Sequence, residues 1–109
     1  MKTFTIDNFQ CKLGKNALEN WKLLSESQPD DLLFHLSYYP SGYLIMECNK
    51  KYPRNIVLEE AAFICKENTK YRNIKNIKVD CTTCSNTQKG ESIGEIIFKY
   101  NSQVFQIVV

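Results

Sequence analysis

No stretch of this 109-residue sequence approaches the roughly 20 consecutive apolar residues that a bilayer crossing requires, so no membrane insertion is expected. The opening Met1-Lys2-Thr3-Phe4-Thr5-Ile6-Asp7 alternates and lacks the apolar centre of a secretory leader. Neither end carries a lipidation motif, and a cytoplasmic location is the expectation. Internal repeats, heptads and low-complexity tracts are missing too, which excludes a solenoid or a long coiled coil. Histidine is nearly absent: His35 stands alone, with no serine, cysteine or paired acid locally arranged to complete a nucleophilic site. The expectation is a protein that is not an enzyme. A strong excess of either charge is also lacking, since the formal net charge of +2 is too small to announce a polyanion partner by itself.

Cysteine is present but in the wrong arrangement for two familiar uses. Cys11, Cys48, Cys65, Cys81 and Cys84 are odd in number and mostly set among apolar or strand-like neighbours, unlike the even framework of a small secreted domain. They read as reduced thiols serving as small apolar residues. Cys81-Thr82-Thr83-Cys84 has metal-ligand spacing, but a structural zinc needs about four ligands, and Cys48, Cys65 and His35 are scattered. A redox pair would open a helix, whereas polar loop residues and Gly90 follow here. Gly14-Lys15-Asn16 is no P-loop, because the spaced first glycine and the hydroxyl residue after the lysine are missing. Neither a metal nor a cofactor is expected.

What remains fits a single domain over residues 1–109, with 43% hydrophobic residues to fill one core. Residues 2–6 and 9–13 alternate around Asp7-Asn8 and predict a hairpin. Asn16, three residues before Glu19, predicts a capped helix that ends before Pro29. Leu32–Leu36 and Tyr43–Cys48 predict paired strands around Pro40-Ser41-Gly42. A second helix is expected from a cap at Asn55 to near Thr69, with Leu58, Ala61, Ala62 and Cys65 on one face. Ile77–Cys81 reads as a strand, followed by a polar loop through Gly90. Gly94–Tyr100 and Gln103–Val109 then read as a terminal hairpin across Asn101-Ser102. The predicted fold class is α+β, a mainly antiparallel β-sheet with two helices packed against it.

Charge distribution says more than its sum. Between Lys66 and Lys89 the basic residues are Lys66, Lys70, Arg72, Lys75, Lys78 and Lys89, against only Glu67 and Asp80. Lys15 stands at a helix start, where free N–H groups and the helix dipole favour phosphate, although ordinary capping is the simpler reading of that segment. Alternation places Asp31, Leu33 and His35 on one strand face and Leu32 and Phe34 on the other. Tyr38, Tyr39 and Tyr43 flank the Pro40 turn, available either to stack on unpaired bases or to cover the end of a sheet.

Taken in order, these motifs resemble the NFACT-R domain, the RNA-binding module of ribosome-quality-control proteins of the NFACT group. The likeness is to the short eukaryotic members in which the domain stands before a coiled-coil tail; these 109 residues include no such segment. Gly14-Lys15-Asn16-Ala17-Leu18-Glu19-Asn20 is similar to the family's G-K/R-N/D-x-x-x-N helix start. Pro29-Asp30-Asp31-Leu32-Leu33-Phe34-His35 resembles P-x-D-I/L-W-F/L-H, and Leu58-Glu59-Glu60-Ala61-Ala62 stands where the family often has E-E-A-A. Val79 to Gly94, with Ser85-Asn86-Thr87-Gln88-Lys89, resembles V-x-Y-T-x-x-S-N-L/I/V-x-K followed by a late glycine. The departures are Leu33 for the usual tryptophan, Tyr43 for a second histidine, Cys81 for tyrosine, and Thr87 and Gln88 near Lys89 where basic residues are usual. The resemblance implies a non-enzymatic α+β domain that engages RNA, tRNA or rRNA, in preference to DNA, within translation quality control. On that reading Lys15, Asn16, His35, Ser85, Asn86 and Lys89 contact backbone phosphates, and Lys75 and Lys78 extend the surface. The competing expectation is a protein-interaction module that has lost its nucleic-acid contacts and docks on a ribosome-associated partner.

Overall fold

The computed structural model describes residues 1–109. Strands β1 (Lys2–Ile6), β2 (Phe9–Leu13), β3 (Leu32–Leu36), β4 (Leu44–Glu47), β5 (Lys78–Thr83) and β8 (Phe105–Val108) form one sheet in the order β1-β2-β4-β3-β5-β8. Every pairing in it is antiparallel. Helices α1 (Ala17–Glu26) and α2 (Asn55–Glu67) complete the frame, and β6 (Thr87–Lys89) pairs with β7 (Ile96–Phe98) in a separate ribbon. The fold is α+β.

The first hairpin turns where its chemistry allows. Asp7 and Asn8 both take left-handed backbone angles, φ 46° and 71°, which short polar side chains tolerate and a two-residue turn requires. Asn16 caps α1 through its Oδ1, which accepts the Glu19 N–H at 2.9 Å, while Glu19 Oε1 accepts the Lys15 N–H at 3.0 Å. Helix α2 differs from the expected start: Arg54 occupies the cap without a side-chain bond, and Asn55 is already helical.

The central strands are apolar in continuous runs because the sheet is covered on both faces. Leu32, Phe34 and Leu36 pack with Val57, Leu58, Ala61, Ala62 and Cys65 of α2. Leu33 points the other way and meets Leu23 of α1, Tyr43, Ile45 and Cys84. Phe34 is fully buried, and its removal from water stabilises the fold by about 2–3 kcal/mol. All five cysteines are free and buried. No helix is long and apolar enough to cross a membrane.

The C-terminal third corrects the expected terminal hairpin. Thr87–Lys89 is a strand rather than loop, and it takes β7 as its partner; β8 instead pairs with β5, Val79 opposite Ile107. Asn101–Gln103 forms a short 3-10 turn that carries the chain from the ribbon back to the main sheet. Asn86 fixes that crossing. Its Nδ2 donates to Thr82 Oγ1 at 3.0 Å and to the Tyr100 carbonyl at 2.9 Å, and its Oδ1 accepts the Tyr100 N–H at 2.9 Å. The ribbon lies beside α1, where Trp21 Nε1 donates to the Glu95 carbonyl at 2.9 Å and Tyr43 Oη donates to the Gly94 carbonyl.

Candidate nucleic-acid interface

A cleft of about 590 Å³ opens at the N-terminus of α1. Lys15, Asn16 and Asn20 form its helix side, His35 comes from β3, Tyr43 stands just before β4, and Lys70 and Tyr71 come from the turn after α2. No aspartate or glutamate lines it. Lys15 has no carboxylate partner; the chain's ion pairs are Met1 ammonium–Glu19, Lys12–Glu47 and Arg54–Asp7. The nearest acid is Glu19, outside the lining, whose carboxylate is held by the Met1 ammonium and feels the Lys15 charge; the lining itself is cationic, which favours a polyanion over a cation.

Close backbone packing shapes this end of the molecule. A Cβ on Gly14 would collide with Asn20 Oδ1, and one on Gly42 would collide with the Gly14 carbonyl. Gly94 adopts φ +86° and packs against Ala17, so the ribbon sits directly on the first turn of α1. His35 lies edge-on to Tyr43, with ring centroids 5.2 Å apart. Burial holds the imidazole below its usual pKa of 6.5, opposed by the Asp80 carboxylate across the strand pair and by a hydrogen bond with the Leu36 backbone. His35 is therefore mainly a neutral donor or acceptor at pH 7 rather than a cation. Tyr39 packs on Tyr71 at 4.4 Å, and Tyr38 stands 74% exposed; Tyr43 is buried and belongs to the core.

A second cleft, about 450 Å³, lies at the other end of α1. Ser25, Ser27 and Gln28 face Ser85, Lys89 and Lys99 across it, again with no carboxylate in the lining. Lys89 also sits 5.2 Å from the Trp21 ring centroid, a cation–π contact that holds the ammonium against α1. Ten residues at 1.5 Å each put the two clefts about 15 Å apart along the helix.

The structure thus divides the residues singled out from sequence. Lys15, Asn16 and His35 come together in the first cleft, and Ser85 and Lys89 in the second. Lys75 and Lys78 are exposed but line neither cleft: one lies in the loop before β5 and the other opens that strand. Asn86 is buried and spends its amide on Thr82 and Tyr100, so it offers nothing to a ligand. Lys66, counted among the basic residues of the region, is likewise buried and donates to the Val109 carbonyl at 3.1 Å. Sequence reasoning passed over Asn20, Lys70 and Lys99 as site residues. Lys70 stood within the basic stretch and Asn20 within the helix-start motif, but only the tertiary fold brings them beside Lys15. No group of three or more His, Cys, Asp or Glu side chains converges as metal ligands.

Together the sheet, the two helices and the carboxylate-free clefts describe an α+β domain with a polar, cationic face. No protein-family model matches the sequence, and no curated protein does either. Among solved structures the fold is similar to the C-terminal part of the fibronectin/fibrinogen-binding protein of Streptococcus suis, with a TM-score of 0.85. The two share 20% sequence identity, and the alignment covers 98% of this chain but 43% of that one. The likeness is one of fold.

Proposed function

We propose that this chain is a non-enzymatic RNA-binding domain of NFACT-R type, acting in the cytoplasm on tRNA or rRNA in translation quality control. The observation that carries the proposal is the cleft at the start of α1, which Lys15 and Lys70 both line with no carboxylate beside them in the lining. The second cleft supplies Lys89 and Lys99 in an equally acid-free setting, so a strand running along α1 meets positive charge at both ends. Tyr71 and Tyr39 add an aromatic pair at the mouth of the first cleft, a surface on which an unpaired base stacks. The order of motifs from Gly14 to Gly94 supports the family reading independently of charge.

The test is fluorescence anisotropy with a labelled single-stranded oligoribonucleotide, competed by the matching DNA. The double variant Lys15→Glu/Lys70→Glu is expected to weaken binding at least ten-fold, while Lys51→Glu, exposed in the loop before α2, changes it little. Equal loss in both variants would mean that the cleft is not the contact surface.

A second reading is a protein-interaction module docking on a ribosome-associated partner. It has two supports: the structural neighbour is named for binding fibronectin and fibrinogen, and edge strand β8 exposes Phe105 and Val108. Binding to such a partner that survives Lys15→Ala and Lys89→Ala but is lost on Tyr39→Ala would favour this reading over RNA.

A further inference from the structure

Asn20 is only 6% exposed, yet the donor end of its side-chain amide is unused. Oδ1 accepts the Tyr43 N–H at 3.0 Å, whereas Nδ2 donates to no protein atom. That donor is not sealed inside, because no buried side-chain nitrogen or oxygen lacks a partner. The opening through which it reaches solvent is the first cleft, which Asn20 lines. The orientation of the amide is fixed by chemistry: reversing it would set Nδ2 against the Tyr43 N–H, donor against donor. Gly14 and Tyr43 hold the group in place through the Gly14 N–H bond to the Tyr43 carbonyl at 3.0 Å, and no residue with a Cβ fits at position 14.

Around this donor the surroundings share one polarity. The N–H groups of Ala17 and Leu18, in the first turn of α1, have no partner. Lys15 makes no direct ion pair, although its charge acts on the nearby Glu19 carboxylate, and Lys70 lines the same cleft. Glu19, the acid of that first turn, has its carboxylate on the Lys15 N–H and the Met1 ammonium, each at 3.0 Å. A fixed donor that opens into the cleft without a protein partner, beside free helix N–H groups and a lysine, suits an anionic ligand whose oxygens accept hydrogen bonds.

We propose that the floor of this cleft binds a single phosphate group, with Asn20 Nδ2 and the first-turn N–H groups donating to its oxygens and Lys15 balancing its charge. The inference rests on the RNA reading for its choice of phosphate, and it names a point on the surface where fixed donors, rather than diffuse charge alone, would hold a phosphate. Asn20 is thereby a binding residue as well as a structural one.

The experiment follows the Asn20 side-chain amide by 1H–15N NMR during titration with inorganic phosphate and with adenosine 5′-monophosphate, against acetate at matched ionic strength. Saturable movement of that amide with the two phosphates, and a clearly weaker one with acetate, which has fewer acceptor oxygens and less charge, is the expected result. Asn20→Asp keeps an oxygen for the Tyr43 N–H but replaces the free donor with a charged acceptor. It is expected to weaken adenosine 5′-monophosphate binding, read on the backbone amides of Ala17 and Leu18, at least ten-fold at an unchanged thermal midpoint. Should that variant fail to fold, Lys15→Gln, on an exposed residue, is expected to weaken phosphate binding about three-fold. An unmoved amide, an equal response to acetate, or undiminished phosphate binding in these variants would overturn the site. Retained RNA affinity with an unmoved Asn20 amide would sink the phosphate site alone; a phosphate response in a chain that binds no RNA would sink only the RNA reading. Comparing 5′-phosphorylated with 5′-hydroxyl oligoribonucleotides then assigns the source, a preference for the first marking a terminal phosphate and equal responses an internal phosphodiester.

Discussion

Replacing Asn86 by alanine separates a structural role from a ligand-binding one. The side chain makes three hydrogen bonds within the chain, two to the Tyr100 backbone and one to Thr82 Oγ1, at 2.9–3.0 Å and out of reach of water. At about 1 kcal/mol net for each such bond, Asn86→Ala is expected to destabilise the domain by roughly 3 kcal/mol. For a domain of this size that lowers the thermal midpoint by roughly 12–24 °C. Urea denaturation reads the same loss as a lower midpoint with an unchanged slope, since the surface exposed on unfolding is the same. RNA affinity, measured at a temperature where the variant remains folded, is expected to stay within about two-fold, because this amide does not face a ligand. A loss below about 1 kcal/mol, or a large loss of affinity at full stability, would refute the assignment of Asn86 as the latch between the ribbon and the main sheet.

Further predictions concern titration. Burial pushes the thiols of Cys11 and Cys65 up to about 12 and those of Cys48 and Cys84 to about 11, so they resist alkylation at pH 8 in the native state and react fully in denaturant. Because these folded-state values lie above the ordinary 9, their contribution to stability is complete below pH 9 and is lost as pH rises towards 11–12; denaturation midpoints at pH 8 and pH 10.5 check the sign. His35 runs the other way: with its pKa held below 6.5 by burial, the unfolded chain takes up the proton first, and stability is expected to fall as pH drops below 6.5. Asp80→Asn removes the neighbouring charge that favours the imidazolium, so the His35 titration followed by NMR is expected to move lower still; a move upward would contradict it.

Much of the fold was legible because it is locally encoded. Asp7-Asn8 are residues that accept left-handed angles, Asn16 and Glu19 close a helix start, and Leu32–Leu36 and Leu44–Glu47 flank the Pro40-Ser41-Gly42 turn. The terminal hairpin failed because Asn101-Ser102 looks like a turn between alternating segments, while the decisive contacts are distant. Asn86 captures Tyr100 from fourteen residues away, and β8 pairs with β5, from Lys78–Val108 to Cys81–Phe105, rather than with β7. The site was half legible for the same reason. A lysine at a helix start is visible in sequence, but that Lys70 lines the same cleft, that Lys89 and Lys99 gather at the far end of α1, and that Asn20 keeps one donor free are consequences of tertiary packing. Asn86 sits in a motif that reads like surface chemistry, and only burial reveals its structural role.

The salt dependence of RNA binding tests the central claim most directly. If Lys15, Lys70, Lys89 and Lys99 each neutralise one phosphate of a single strand, a plot of log K against log salt concentration should fall with a slope of about −3, and Lys15→Gln/Lys70→Gln should make it shallower by about 1.4. A slope near zero, or one that the double variant leaves unchanged, would contradict the assignment of these clefts as the polyanion-binding face.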